Sequence, residues 1–171
     1  LQRSCEISDL AAAIPELAAE AKARSLEFEA QRRLPADFAD RLKRTGAFKV
    51  LVPVDAGGLG GSLNEWFEMA IALGEGDAST AWVFSHANIC AGLIYASGDP
   101  HFVQEFFSDP DACAAWSSLP RIQAVEQADG IRITGSWGFE SGCTASTFVG
   151  GMVPLAPDAD VVADDAANGE P

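Results

Sequence analysis

Apolar residues recur at spacings of three and four in the first part of the chain and at alternate positions later on. Leu10, Ile14, Leu17 and Ala21 fall on one stripe of a segment from about Asp9 to Arg33 rich in Ala, Glu, Leu and Lys, which predicts an amphipathic helix. Pro15 lies early enough to sit in a first turn or to bend that helix. A second helix is predicted with Pro35 at its first position, Phe38 and Leu42 on one face, and Gly46 as its stop. Beyond Phe48 to Pro53 and the run Gly57-Gly58-Leu59-Gly60-Gly61, Ser62 and Glu65 stand at capping-box spacing. They open a third helix carrying Trp66, Phe67, Met69, Ala70 and Leu73, which Gly74-Glu75-Gly76 should end. A fourth helix starts near Asp77 and is apolar on nearly every side, which predicts burial. Asp99-Pro100, a cap followed by proline, opens a short fifth.

After Ser108 the period changes. Ala112 to Ser118 reads as a strand, and Gln123 to Glu126 and Ile131 to Thr134 flank the hairpin signal Ala128-Asp129-Gly130. Ile131 and Ile133 alternate with Arg132 and Thr134, the pattern of a half-buried strand. A last strand is predicted from Phe148 to Val153. Five helices followed by about four strands make an α+β chain, with a helical domain over residues 1–108 and a partial β-domain over 109–171.

Composition narrows the function classes. The chain has 171 residues, 48% of them hydrophobic, enough for a sizeable core. Its net charge is −14, from 11 basic and 25 acidic side chains. The stretch from Leu155 to Pro171 holds five of the acids and no base, yet the rest is acidic too, so neither nucleic acid nor an anionic membrane surface is an expected partner. Ala78 to Ala96 is broken by Ser79, Thr80, Ser85, His86 and Asn88, and reads as a buried helix; a bilayer span needs about 20 apolar residues. Cys5, Cys90, Cys113 and Cys143 show no metal-site spacing, and only His86 and His101 accompany them, so no metal is expected. Scattered thiols and the lack of an export signal point to a cytoplasmic setting. Beginning at Leu1 and ending in a polar run, the chain reads as part of a longer polypeptide.

Two familiar chemistries fail on spacing. The glycine run lacks the Gly-Lys-Ser/Thr of a phosphate loop, and reads as a tight connection needing positive φ. Around Ser141 the glycines are out of register for a hydrolase elbow. Two patches are harder to dismiss: Asp77-Ala78-Ser79-Thr80-Ala81-Trp82, and Gly135 through Cys143. A flat heteroaromatic cofactor needs aromatic or apolar walls and a few fixed donors at its edge. Trp82, Trp116 and Trp137 could be walls, while Ser117, Ser118, Ser141 and the amides around Gly142 could be donors. Taken alone, tryptophans are more often core residues than cofactor walls, and on either reading Trp82→Ala should cost several kcal/mol, the ~3–5 usual for a buried aromatic.

The order of these pieces resembles the acyl-CoA dehydrogenase superfamily. The matching pieces are Leu34-Pro35, Pro53 leading to Gly57-Gly58-Leu59-Gly60, Gly76 to Trp82, Trp116-Ser117-Ser118, and Gly135-x-Trp137-x-Phe139-x-Ser141-Gly142. The last is most similar to the branch of two-component flavin monooxygenases. The resemblance implies an N-terminal α-helical bundle followed by the beginning of an antiparallel β-barrel or sandwich, with the family's C-terminal helical domain absent. It implies a flavin, reduced FMN before FAD, supplied by a separate flavin reductase. Molecular oxygen, a small aromatic or polycyclic substrate and a homotetramer complete the expectation. Trp82, Trp116, Ser117, Ser118, Trp137, Phe139, Ser141 and Gly142 would line the flavin, and the Ser141 hydroxyl, close to ring nitrogen N5, would be the catalytic donor. His86, Cys90 and Ser117 would face the substrate. Phenol-hydroxylating members carry a histidine two helical turns beyond the position of Trp82; here that position is Cys90, with His86 one turn earlier. Two other readings stand beside this one. One is an FAD-dependent acyl-CoA dehydrogenase, whose catalytic carboxylate would follow Pro171; the other is a helical interaction fragment without catalysis.

Overall fold

Helix α1 (Ile7–Gln31) buries Leu10, Ile14, Leu17, Ala21 and Phe28, the predicted stripe extended by two turns. The helix begins two residues before Asp9, because the Glu6 amide donates to the Asp9 carboxylate at 3.2 Å and so closes the first turn. Pro15 lies within the helix, beyond its first turn. The missing amide costs one backbone bond, and the packed stripe around Ile14 and Leu17 outweighs it. The computed structural model describes residues 6–97, 99–118 and 120–153; Cys5 and the acidic stretch from Leu155 lie outside them.

Helix α2 (Ala36–Arg44) takes Pro35 as its cap, one position earlier than expected, with Gly46 in the left-handed region at φ 75° just past its end. Arg24 on α1 pairs with Asp37 on α2 at 2.7 Å, and Arg41 reaches back to Glu16 and Glu20. These are surface pairs that contribute little beyond register. Two 3-10 turns, Ala47–Lys49 and Val54–Ala56, lead into the glycine run. The amides of Gly57, Gly58, Leu59, Gly60 and Gly61 all donate to the chain's own carbonyls, from Val54, Pro53, Lys49, Val52 and Val50. With every amide spent, the run is a connector and not a phosphate cradle. Lys49 is buried, and its ammonium donates to the carbonyls of Asp109 (2.7 Å) and Pro110 (3.1 Å).

Helix α3 (Leu63–Gly76) opens at Ser62, whose hydroxyl accepts from the Glu65 amide while the Glu65 carboxylate accepts from Ser62. Gly74 continues the helix; the break comes at Asp77, whose extended backbone separates α3 from α4 (Ala78–Ala96). The expectation that α4 is buried all round needs correction. Phe84, Ala87, Cys90 and Ala91 are buried, but Trp82, Ile89 and Leu93 form an exposed stripe, because α3 and the 47–49 turn cover only part of the helix. Helix α5 (Pro100–Ser108) buries Phe106.

The strands are β1 (Ala114–Ser117), β2 (Pro120–Gln127), β3 (Gly130–Trp137) and β4 (Phe148–Gly151), with β1 paired to β4 and β2 to β3. The chain separates into two compact units, residues 1–116 with 140–150, and residues 117–139 with those from 151 onward. In the first, α1 packs on α3 and α3 on α4 around one apolar core. In the second, β2 and β3 form an antiparallel hairpin in which Gln127 faces Gly130 across Ala128-Asp129, the predicted turn. The predicted half-burial of β3 is not observed. Ile131 and Ile133 are 48% and 45% exposed, since nothing among the described residues covers that face.

Candidate functional site

The first turn of α4 is fixed from both sides. The Asp77 amide donates to the Leu73 carbonyl at 2.8 Å, and its carboxylate accepts from the Thr80 amide and hydroxyl at 2.7 and 2.8 Å. Further along, the buried Asn88 carboxamide accepts from the Val50 amide and donates to the carbonyls of Ala47 and Phe84. The helix is therefore clamped at two points, and Trp82 projects from a rigid turn between them. Its indole is 63% exposed, so it is not the core residue that its type suggests. Its Nε1 donates to the Ser141 hydroxyl at 2.9 Å, and its ring lies nearly parallel to His86, at 11° with 6.5 Å between centroids.

Ser141 sits on a turn that braces itself. The amides of Cys143 and Ala145 donate to the carbonyls of Glu140 and Gly142, and the Ser146 hydroxyl donates to Gly142 O at 3.0 Å. Gly142 has φ 85°, and a Cβ there would stand 3.1 Å from Val83 of α4. Glycine is thus required both by the backbone and by the close approach to α4. Among the described residues, the Ser141 hydroxyl proton and the amides of Ser141 and Gly142 meet no acceptor. A flat exposed indole beside unspent donors is the result.

His86 Nε2 lies 2.9 Å from the Trp116 carbonyl and 3.3 Å from its amide. Protonated, that nitrogen donates to the carbonyl; unprotonated, it accepts from the amide. Trp116 is exposed, and a Cβ on Gly150 would collide with its ring. Cys90 is buried beside Val52, Ala91 and Phe106, and burial, aided by Cys113 and Glu140, pushes its thiol up to about 11. It faces the core as a neutral group.

The remaining predicted residues belong to the other unit. Ser117 is buried, and its hydroxyl donates to Gly138 O at 2.6 Å. Trp137 Nε1 donates to Met152 O at 3.1 Å. Ser118 is exposed, and Phe139 is 88% exposed with φ 56°, a left-handed backbone rare for an aromatic residue. The first unit thus brings together Trp82, His86, Trp116, Ser141 and Gly142, with Cys90 beneath them. Val83, Asn88 and Ser146 were missed by sequence reasoning. Only Asn88 carried a signal, a carboxamide in an otherwise apolar helix.

The profile of the family described as "Acyl-CoA dehydrogenase, N-terminal domain" matches residues 6–109. The chain belongs to this family. Among curated relatives, the indole-3-acetate monooxygenase of Acinetobacter baumannii is 31% identical over 131 residues, 75% of this chain and 33% of that protein. The FADH(2)-dependent resorcinol hydroxylase, oxygenase component, of Rhizobium sp. is 34% identical over 116 residues, 67% of this chain and 28% of that protein. The crystal structure of the HsaA monooxygenase from M. tuberculosis superposes with a TM-score of 0.74 at 31% identity, covering 85% of this chain and 40% of that one. The chain spans about a third of the length of the curated relatives it matches. In this acyl-CoA dehydrogenase-like unit, a planar cofactor fits the residues present: an open indole face, an unused hydroxyl proton and two unpartnered amides.

Proposed function

We propose that the full-length protein is the oxygenase component of a two-component flavin-dependent monooxygenase. It takes reduced flavin from a separate reductase and uses molecular oxygen to hydroxylate an aromatic or polycyclic substrate. The observation that carries this reading is the Trp82–Ser141 contact, which puts an aromatic wall and a free donor side by side. The names of the similar proteins support it: an indole-3-acetate monooxygenase, a resorcinol hydroxylase oxygenase component and the HsaA monooxygenase. FADH2 in one of those names favours reduced FAD over the FMN that the family resemblance implied.

When bound, the flavin supplies the oxygen-activating chemistry. The chain's own residues do the rest. Trp82 covers a ring face, Ser141 and the amides at Ser141 and Gly142 offer donors to the polar edge, and the α4 clamp at Asn88 keeps them in place. A donor fixed before the reaction costs no reorganisation during it. Cys90, buried and protonated, offers no base at the position where phenol-hydroxylating relatives carry one. That favours an aromatic ring that need not be deprotonated at α4. The reading also includes a homotetramer, supported by the exposed apolar residues Leu63, Phe67 and Ile71 on α3.

The test is oxygen uptake by the full-length protein with FAD, NADH and a flavin reductase. Indole-3-acetate, which has no phenol to deprotonate, is the favoured substrate of the first panel, with the phenols resorcinol and p-hydroxyphenylacetate beside it. Hydroxylated product that depends on the reductase supports the proposal. Oxygen uptake that never yields product, across this and a polycyclic panel, would refute it.

A further inference from the structure

We propose that Trp82 is a positioning residue whose indole N–H narrows the directions open to the Ser141 hydroxyl proton and keeps it free to donate. The inference rests on the flavin reading above. An indole nitrogen carries a hydrogen and no free lone pair, so in the 2.9 Å contact Ser141 Oγ can only accept. The serine's own hydrogen cannot lie along that line and turns to another tetrahedral direction. Among the described residues it meets no acceptor there. The donor is unspent, and its heading is narrowed by a side chain 59 residues away.

Neither partner can drift. Trp82 follows the Asp77–Thr80 cap, and Ser141 precedes Gly142, which lies against Val83 on the same helix. Ser146 holds the carbonyl of Gly142 from the other side. One indole therefore has two jobs: its face is a wall for a planar ring, and its N–H keeps a donor free for that ring's edge. Without the indole N–H the hydroxyl would be spread over about three staggered positions; with it about two remain, which makes the narrowing worth about 1.5-fold in binding.

The measurement is equilibrium binding of oxidised FAD and of 5-deaza-FAD, whose ring carries carbon at the N5 position and cannot accept there. The full-length protein is used in four forms: wild type, Trp82→Phe, Ser141→Ala and the double variant. The quantity read is the ratio of the two affinities, which cancels any loss of stacking common to both ligands. The wild type should favour FAD. Ser141→Ala should lower the ratio about tenfold, the scale of one hydrogen bond. Trp82→Phe should lower it about 1.5-fold, the scale of one restored hydroxyl position out of about three, and the double variant should fall no further than Ser141→Ala. An unchanged ratio in Trp82→Phe, or an additive fall in the double variant, overturns the inference and leaves the flavin reading standing. A wild type that binds neither ligand removes both. A second readout needs no Trp82 variant. In protein labelled with 15N-tryptophan, Ser141→Ala should speed exchange of the Trp82 indole hydrogen, and an unchanged rate overturns the pairing.

Discussion

The indole nitrogen of Trp82 and the hydroxyl oxygen of Ser141 stand 2.9 Å apart, joining the first turn of α4 to a loop 59 residues further along the chain. The end of the first patch singled out by sequence and the Ser141 part of the second therefore meet in the first unit. An exposed tryptophan pinned by a serine is poor economy for a core and good economy for a binding wall.

Trp82→Ala should leave the fold intact. With 63% of the side chain in solvent, the loss should be about 1 kcal/mol or less, not the several expected of a core aromatic. Thermal or urea unfolding of the full-length protein decides this. A loss above about 3 kcal/mol would show that the indole is core after all.

Asn88→Ala should be far more damaging. The carboxamide is fully buried, and its removal strands the Val50 amide and the Ala47 carbonyl. Each stranded group costs about 1–3 kcal/mol, so a loss of roughly 2–6 is expected by urea titration. A neutral result would mean that the 47–50 segment holds to α4 by other contacts.

Legibility differed from residue to residue, for physical reasons. The α1 stripe, the Ser62 cap and the Ala128-Asp129 turn are local features, and their periods or spacings are written in consecutive residues. Because α4 is apolar on nearly every side, its pattern could not say which stripe would stay open, and Trp82 looked like core. The Ser141 contact has no local signal at all; it depends on Gly142 allowing the loop to close on Val83. Of the candidate site, the residue types could be read, but their partners could not.

Gly142→Ala tests that closure. The methyl group would meet Val83 at 3.1 Å on a backbone with φ 85°, so about 1–2 kcal/mol of stability should go. Displacement of Ser141 should also weaken flavin binding. Unaltered binding would detach Gly142 from the proposed site.

Cys90 gives a pH dependence with a definite sign. Burial raises its folded thiol from 9.0 to about 11, so the folded state holds the proton longer than the unfolded chain. The associated stability is complete below about pH 9 and is lost as pH rises through about 11, a change on the order of 2 kcal/mol. Burial pushes the Lys49 ammonium the other way, and its contribution has the opposite sign. The slope is therefore read as wild type minus Cys90→Ala between pH 8 and 11 by urea unfolding. The wild type should lose stability relative to the variant as pH rises; parallel curves would place the thiol in contact with water.

The central claim is that a reduced flavin lies on the wall built by Trp82 and Ser141. Its most direct test is anaerobic equilibrium binding of reduced and oxidised FAD to the full-length protein, wild type and Trp82→Ala. The account predicts that reduced FAD binds the wild type more tightly than oxidised FAD by about tenfold or more, a difference of at least ~1.4 kcal/mol, and that Trp82→Ala loses much of that affinity. Equal or tighter binding of the oxidised form, or full affinity without the indole, would contradict it.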